Sequence, residues 1–199
     1  MTEFSYDLDP TFPRDFGPTP SQTVGPYLHI GLTWDDGANV VPDNTDGVLT
    51  IRGRVYDGLG EAILDGMIET WQADARGRFA HPEAVGATEM AENLEPKGFR
   101  AFGRAVTLDG EYEIRTVKPG RVDAQQAPHI DVSVFARGML NRCVTRIYFP
   151  DEGPANAADP LLSQVPEARR ATLVARDEGE HLRFDIHLQG NEETVFFEL

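Results

Sequence analysis

Beyond about residue 48 the chain breaks into short apolar segments that alternate with polar positions and are cut by turn residues, the pattern of a β-sandwich or barrel. Leu49, Ile51 and Val55 share a parity ahead of Asp57-Gly58, a hairpin-type dipeptide, and Tyr112, Ile114 and Thr116 do the same after Asp109-Gly110. Ile130, Val132 and Val134 predict one strand face, with His129, Asp131 and Ser133 on the other. The clearest alternation turns Leu182, Phe184, Ile186 and Leu188 inward and Arg183, Asp185, His187 and Gln189 outward. A Gly190-Asn191 turn and a last strand over 194–197 are expected to follow. Residues 67–73 mix polar and apolar side chains on both parities, so a strand there has neither face wholly in water, and Trp71 is a core or sheet-packing residue.

Only residues 154–175 look helical, as two short helices at most, with Pro166 at a first helical position and Leu161, Val165, Ala168 and Thr172 roughly on one face. Residues 80–97 show little period and read as a long loop, of the kind that is usually functional or interfacial. Residues 1–20, rich in Pro and Asp, read as an extended arm. The predicted organisation is all-β: an N-terminal arm and interface segment over 1–47, then a β-sandwich domain over 48–199.

Composition narrows the choices. The chain has 199 residues and a formal net charge of −15, which argues against nucleic acid, because phosphate binding needs clustered Lys and Arg. One domain of this length buries roughly 70% of the surface its unfolded chain exposes, so no disulfide or structural metal is required. Cys143 is the only cysteine, which leaves no intrachain disulfide and no paired-cysteine zinc motif. No basic start leads into an apolar run, and no stretch of about 18 apolar residues occurs. Neither a signal peptide nor a membrane span is expected, and the cytoplasm is the expected compartment.

Candidate chemistry is sparse. His81 and His181 fall among loop residues and His187 alternates outward, so each reads as a solvated histidine; His29 and His129 are less easily dismissed. In Pro128-His129-Ile130-Asp131 the histidine and the carboxylate are two apart on one strand face and can reach the same site. They could ligate a metal, but three or four protein ligands are needed, and the pair reads equally as a hydrogen-bonded couple at an edge or interface. There is no G-x-S-x-G motif and no phosphate-cradling glycine loop, Cys143 reads as a strand residue, and Asp65, Glu69 and Asp74 form a charge scatter rather than a glycosidase pair.

Further motifs change the picture. Thr19-Pro20-Ser21-Gln22-Thr23-Val24-Gly25-Pro26-Tyr27 resembles the T-P-x-Q-x-x-G-P-Y/F arm of the intradiol ring-cleavage dioxygenases. The likeness continues through Gly53-Arg54-Val55-Tyr56-Asp57, Glu69-Thr70-Trp71-Gln72-Ala73-Asp74, Gly110-Glu111-Tyr112, Arg115-Thr116-Val117-Lys118-Pro119-Gly120, Pro128-His129-Ile130-Asp131 and Thr145-Arg146-Ile147-Tyr148-Phe149, covering residues 19–199. The resemblance implies a transthyretin-like β-sandwich. Iron-binding members hold a ferric ion through two tyrosinates and two histidines, the latter in a P-x-H-I-H strand. Here Asp131 stands at the second histidine position, and no tyrosine follows Lys118-Pro119-Gly120 or lies within 80–97.

That loss resembles the iron-free α subunits of hetero-oligomeric members. It implies a partner β chain carrying Fe(III), αβ protomers in a larger oligomer, and an active site at the α/β boundary. The implied substrate is a small aromatic acid, protocatechuate, cleaved with dioxygen to 3-carboxy-cis,cis-muconate in the β-ketoadipate route. On this chain the resemblance implies no catalytic residue and no metal ligand, but a pocket lining of Thr23, Gly25, Pro26, Tyr27 and Arg137. Tyr27 equally suits a packed interface, and Arg137 a surface salt bridge. The competing expectation is a transthyretin-like assembly or binding module with no catalytic contribution.

Overall fold

The computed structural model describes residues 20–23, 25–79 and 94–198. The arm over residues 1–19, the loop part at 80–93 with His81, and Val24 lie outside the described residues. Ten short strands follow a five-residue helix, α1 (Tyr27–Gly31). They are β1 (Leu49–Gly53), β2 (Val55–Tyr56), β3 (Met67–Trp71), β4 (Phe102–Val106), β5 (Tyr112–Thr116), β6 (His129–Phe135), β7 (Cys143–Tyr148), β8 (Arg176–Asp177), β9 (Leu182–Arg183) and β10 (Ile186–His187).

One sheet runs β5-β1-β9-β8, a second β4-β3-β6-β7, and β2 pairs with β10 in a third, two-stranded piece. Their inward stripes share one core: Ile51, Ile114 and Leu182 from the first sheet meet Ile68, Ala105, Ile130, Val132, Val134 and Ile147 from the second. Alternation therefore does in three dimensions what it promised along the chain, closing two sheets over a dry interior. Val40 and Val41 join that core, and Asn39 forms a bridge to Arg115. Both faces of β3 are covered, since Met67, Ile68 and Thr70 are all buried. Trp71 is half-buried against the core and stacks on Phe79 with ring centroids 6.1 Å apart.

Several expectations need correcting. Asp109-Gly110 does not close a hairpin within one sheet: it leads from β4 at the edge of the second sheet to β5 at the edge of the first. Residues 194–197 form no strand. The Thr194 N–H donates to the His187 carbonyl (2.9 Å) and that of Phe197 to the Val144 carbonyl (2.8 Å), so the tail crosses from one sheet to the other and builds a ladder on neither. Between 150 and 173 lie two α-helices, α2 (Gly153–Ala158) and α3 (Glu167–Arg170), joined by 3-10 turns. Pro166 caps α3, Val165 is buried, and Ala168 is exposed rather than on a common inward face. Among the described residues no helix is long and apolar enough to cross a membrane.

Buried polar side chains lock the two layers. The Thr116 hydroxyl donates to the Gln72 side-chain oxygen (2.7 Å), and the Gln72 amide donates to the Val117 carbonyl (2.9 Å), tying the end of β3 to the end of β5. On the first sheet the Tyr112 hydroxyl donates to the Phe184 carbonyl at 2.5 Å. Only glycine suits position 53 beside it, because an added Cβ would lie 1.8 Å from the Phe184 oxygen. Asp74 is fully buried. It accepts the N–H groups of Arg76 and Arg78 (both 2.9 Å) and Glu95 (3.0 Å), and the Arg78 guanidinium at 2.7 Å. Burial alone would raise its pKa, but the Arg78 bond and these backbone donors outweigh burial and lower it. An amide at position 74 gives up the negative charge and turns one acceptor oxygen into a donor facing these N–H groups, so Asp74→Asn is expected to lower stability by ~3 kcal/mol, read as a shift of the urea midpoint at constant slope.

Candidate functional site

Two groups of residues drew attention in the sequence, and β6 separates them. His129 opens the strand and Arg137 lies just past its end at Phe135, so at about 3.3 Å per residue the two are roughly 20 Å or more apart.

At the His129 end, the ring Nδ1 bonds the Ala127 carbonyl at 2.8 Å, and Nε2 is 4.0 Å from Asp131 Oδ2. Antiparallel register sets Asp131 directly opposite Arg146 on β7, and Arg146 Nε donates to Asp131 Oδ1 at 2.7 Å. Burial and the Arg146 charge lower the His129 pKa, against the opposing pull of the Ala127 carbonyl, Asp131 and Asp159, so the imidazole is held neutral. The nearby Tyr148 hydroxyl is buried and donates to Asp159 Oδ1 at 3.0 Å; burial raises its pKa, which disfavours a phenolate. This donor set does not fit a ferric ion. A guanidinium occupies the carboxylate and repels a further cation, and the nearest phenol is kept protonated. Among the described residues no three His, Cys, Asp or Glu side chains group to hold a metal.

At the other end the remaining candidates come together. The Thr23 hydroxyl accepts the Gly138 N–H at 3.1 Å and the Gly25 N–H at 3.3 Å, fastening the arm motif to the turn that carries Arg137. Gly25 has φ +60° with open space where a Cβ would be, so glycine serves the left-handed turn that leads through Pro26 into α1. Tyr27 is 69% exposed. Arg137 ion-pairs through Nε with Asp65, whose side chain is 12% exposed, while its terminal amino groups have no partner among the described residues. The sequence reading missed Asp65 as the anchor of Arg137 and Arg146 as the mate of Asp131. Opposite charges on neighbouring strands are a usable signal, but only once the register is known. Of the charge scatter, Asp74 and Asp65 have the roles above and Glu69 pairs with Arg104 directly across β3 and β4.

Around this end the surface is apolar and uncovered. Tyr27, Ile30, Leu32, Trp34 and Leu140 are exposed, and a hollow of about 300 Å³ opens between α1 and the 135–142 turn, with Leu28, Met67 and Phe135 in its wall. The Nδ1 of His29 on α1 is buried without a partner among the described residues. Arg104 lies over the Trp34 ring, 4.9 Å from its centroid, and holds the Leu32 carbonyl at 2.6 Å, stiffening the same face. Exposed apolar side chains gathered at one end of the fold in this way suit contact with another surface.

Comparison with known proteins gives this geometry a context. Residues 25–190 match the family model described as Dioxygenase. The protocatechuate 3,4-dioxygenase alpha chain of Burkholderia cepacia is 42% identical over 199 residues, covering 91% of this chain and 97% of the relative. The protocatechuate 3,4-dioxygenase beta chain of the same organism is 34% identical over 161 residues, covering 73% of this chain and 66% of the relative. Among solved structures, the dioxygenase domain of a dioxygenase carbohydrate-binding protein fusion from Streptomyces sp. SirexAA-E is 28% identical. It has a TM-score of 0.56 and covers 87% of this chain and 99% of its own.

Two measurements check the two ends of β6. His129 has a folded pKa below its ordinary value of 6.5, so the stability it contributes is complete above pH 6.5 and is lost as the pH falls through the lowered value. His129→Gln is expected to flatten unfolding free energy against pH below 6.5. At the arm, Thr23→Val removes the acceptor of two N–H groups, each bond contributing ~1 kcal/mol. Amide exchange at Gly25 and Gly138 is expected to rise by roughly fivefold, with exchange in β3 and β6 unchanged.

Proposed function

This chain belongs to the dioxygenase family, and we propose that it is the α subunit of a protocatechuate 3,4-dioxygenase, lining the substrate pocket beside a ferric ion carried by a partner β chain. The observation that carries the reading is the separation along β6. The residues that family resemblance assigns to the pocket gather at one end, against an uncovered apolar face, while the position homologous to the iron site lies at the other end and is filled by the Asp131–Arg146 pair. A pocket wall with no metal of its own within reach needs iron from another chain. Relatives named as alpha and beta chains support an αβ partnership. Assembly of αβ units into a larger oligomer is part of the proposal, as is a cytoplasmic location, which the lone Cys143 favours.

In this reading iron on the partner chain would supply the oxygen chemistry. This chain binds and orients. Arg137, held through Nε by Asp65, keeps its outer amino groups for an anionic substrate or for a β-chain group beside it, and meets the need for a local cation in a chain of net charge −15. Gly25 and Pro26 leave room for a ring at close range, and Tyr27 closes the apolar side and excludes water. Ring opening between the hydroxyl-bearing carbons then yields 3-carboxy-cis,cis-muconate.

Co-expression with the β chain is expected to give a coloured complex with the visible charge-transfer band of ferric tyrosinate, whereas this chain purified alone carries neither colour nor stoichiometric iron. Stoichiometric iron on the isolated chain would overturn the assignment. In the complex, Arg137→Ala is expected to raise KM for protocatechuate by roughly tenfold or more, the loss of one charge-assisted hydrogen bond, while the visible band persists. Unchanged kinetics would instead favour a purely structural subunit.

A further inference from the structure

A cavity of about 380 Å³ lies where α3 and the tail pack on β8, β9 and β10, within the size range of small-molecule sites, ~300–1,000 Å³. Its charges are matched but for two. Asp185 accepts the Arg54 N–H (3.0 Å) and Arg183 Nε (2.8 Å) at one oxygen and Arg176 (2.9 Å) at the other. Arg183 also pairs with Glu111, which lies outside the cavity. Glu192 is exposed.

Arg169 is the exception within. It is half-buried and donates one amino group to the Glu193 carbonyl at 2.5 Å, but no carboxylate pairs with it among the described residues. Its Nε is closed off from solvent and has no acceptor among the described residues, so a ligand in the cavity meets only the outer amino groups. A half-buried guanidinium without a carboxylate gains from an anion at those amino groups. Beside it the wall is apolar, formed by Ala168, Val174 and Phe184, and His187 is held in place by stacking on Tyr56 at 4.8 Å.

We propose that this cavity binds a small organic carboxylate, its charge on Arg169 and its apolar body against Ala168, Val174 and Phe184. The exposed Glu192 is screened by water, so the half-buried Arg169 guanidinium is the charge left to be met, and it matches a monoanion. A phosphate dianion would need a second free cation, and Arg176 and Arg183 are already engaged by Asp185. The half-apolar wall selects a ligand with a hydrocarbon face over a fully hydrated ion. An aromatic acid and an aliphatic one share this chemistry, and the probes below separate them.

The test is calorimetric titration of the full chain, purified with any partner it retains, with benzoate, hexanoate and inorganic phosphate. Saturable binding is expected for the carboxylates in preference to phosphate, with benzoate above hexanoate if the ligand is aromatic and below it if aliphatic. Arg169→Gln, whose amide can still reach the Glu193 carbonyl, is expected to remove one carboxylate per chain from the stoichiometry or weaken it by ~10- to 100-fold. Arg176→Gln, at an exposed position that leaves the fold intact, is expected to weaken it by ~3- to 5-fold through loss of the surrounding positive field. Carboxylate binding unchanged in Arg169→Gln, phosphate binding at least as tightly as the carboxylates, or no saturable binding would each overturn the proposal.

Discussion

The two sheets meet at Gln72. Its side chain is buried, has no route to water, and satisfies itself on Thr116 and Val117 from the opposite layer. Two residues on, the Asp74 carboxylate collects three backbone N–H groups and a guanidinium. A buried polar group is tolerated only when paired, so these bonds permit a single registration of β3 against β5. With β3 placed, β4 and β6 pair on either side of it, β7 pairs with β6, and the turn bearing Arg137 is delivered to the end where α1 and Thr23 lie. Two of the sequence motifs that signalled the family, around Trp71 and around Thr116, are therefore the two halves of this junction.

The same β6 that positions Arg137 carries Asp131, where the resemblance leads a histidine to be expected, and an ion pair with Arg146 stands there. A carboxylate opposite an arginine in antiparallel register satisfies itself at 2.7 Å and needs no metal to order it. The neighbouring His129 is left neutral in apolar surroundings, a state that burial and Arg146 both favour. The substitution thus preserves the sheet while withdrawing the charge pattern a ferric ion requires. At the far end of the strand, Thr23, the 135–142 turn and the Asp65-anchored guanidinium of Arg137 lie beside exposed apolar side chains.

Much of this was legible along the chain. The strand faces at Ile51, Ile114, Ile130 and Leu182 follow from alternation alone, since a period of two and the need to bury apolar area are local properties. The loss of iron ligands was equally local, because it turns on which residue stands at 131 and on missing tyrosines. The tail over 194–197 was not legible. Its composition suits a strand, yet it spans between sheets, and only the positions of β10 and β7 decide that. Ala168 fails on the same ground, because a four-residue helix has too little length for a face to be read from its spacing.

The sequence by itself determined the class of fold and the family, both of which rest on residue identity and short-range spacing. The tertiary structure decided the pairings across long separations: Asp65 with Arg137, 72 residues apart, Gln72 with Thr116, 44 apart, and Arg169 left without a carboxylate. The reason is physical. Periodicity constrains which way a side chain points, whereas its partner is set by which strands become neighbours, and that follows from packing the whole core at once.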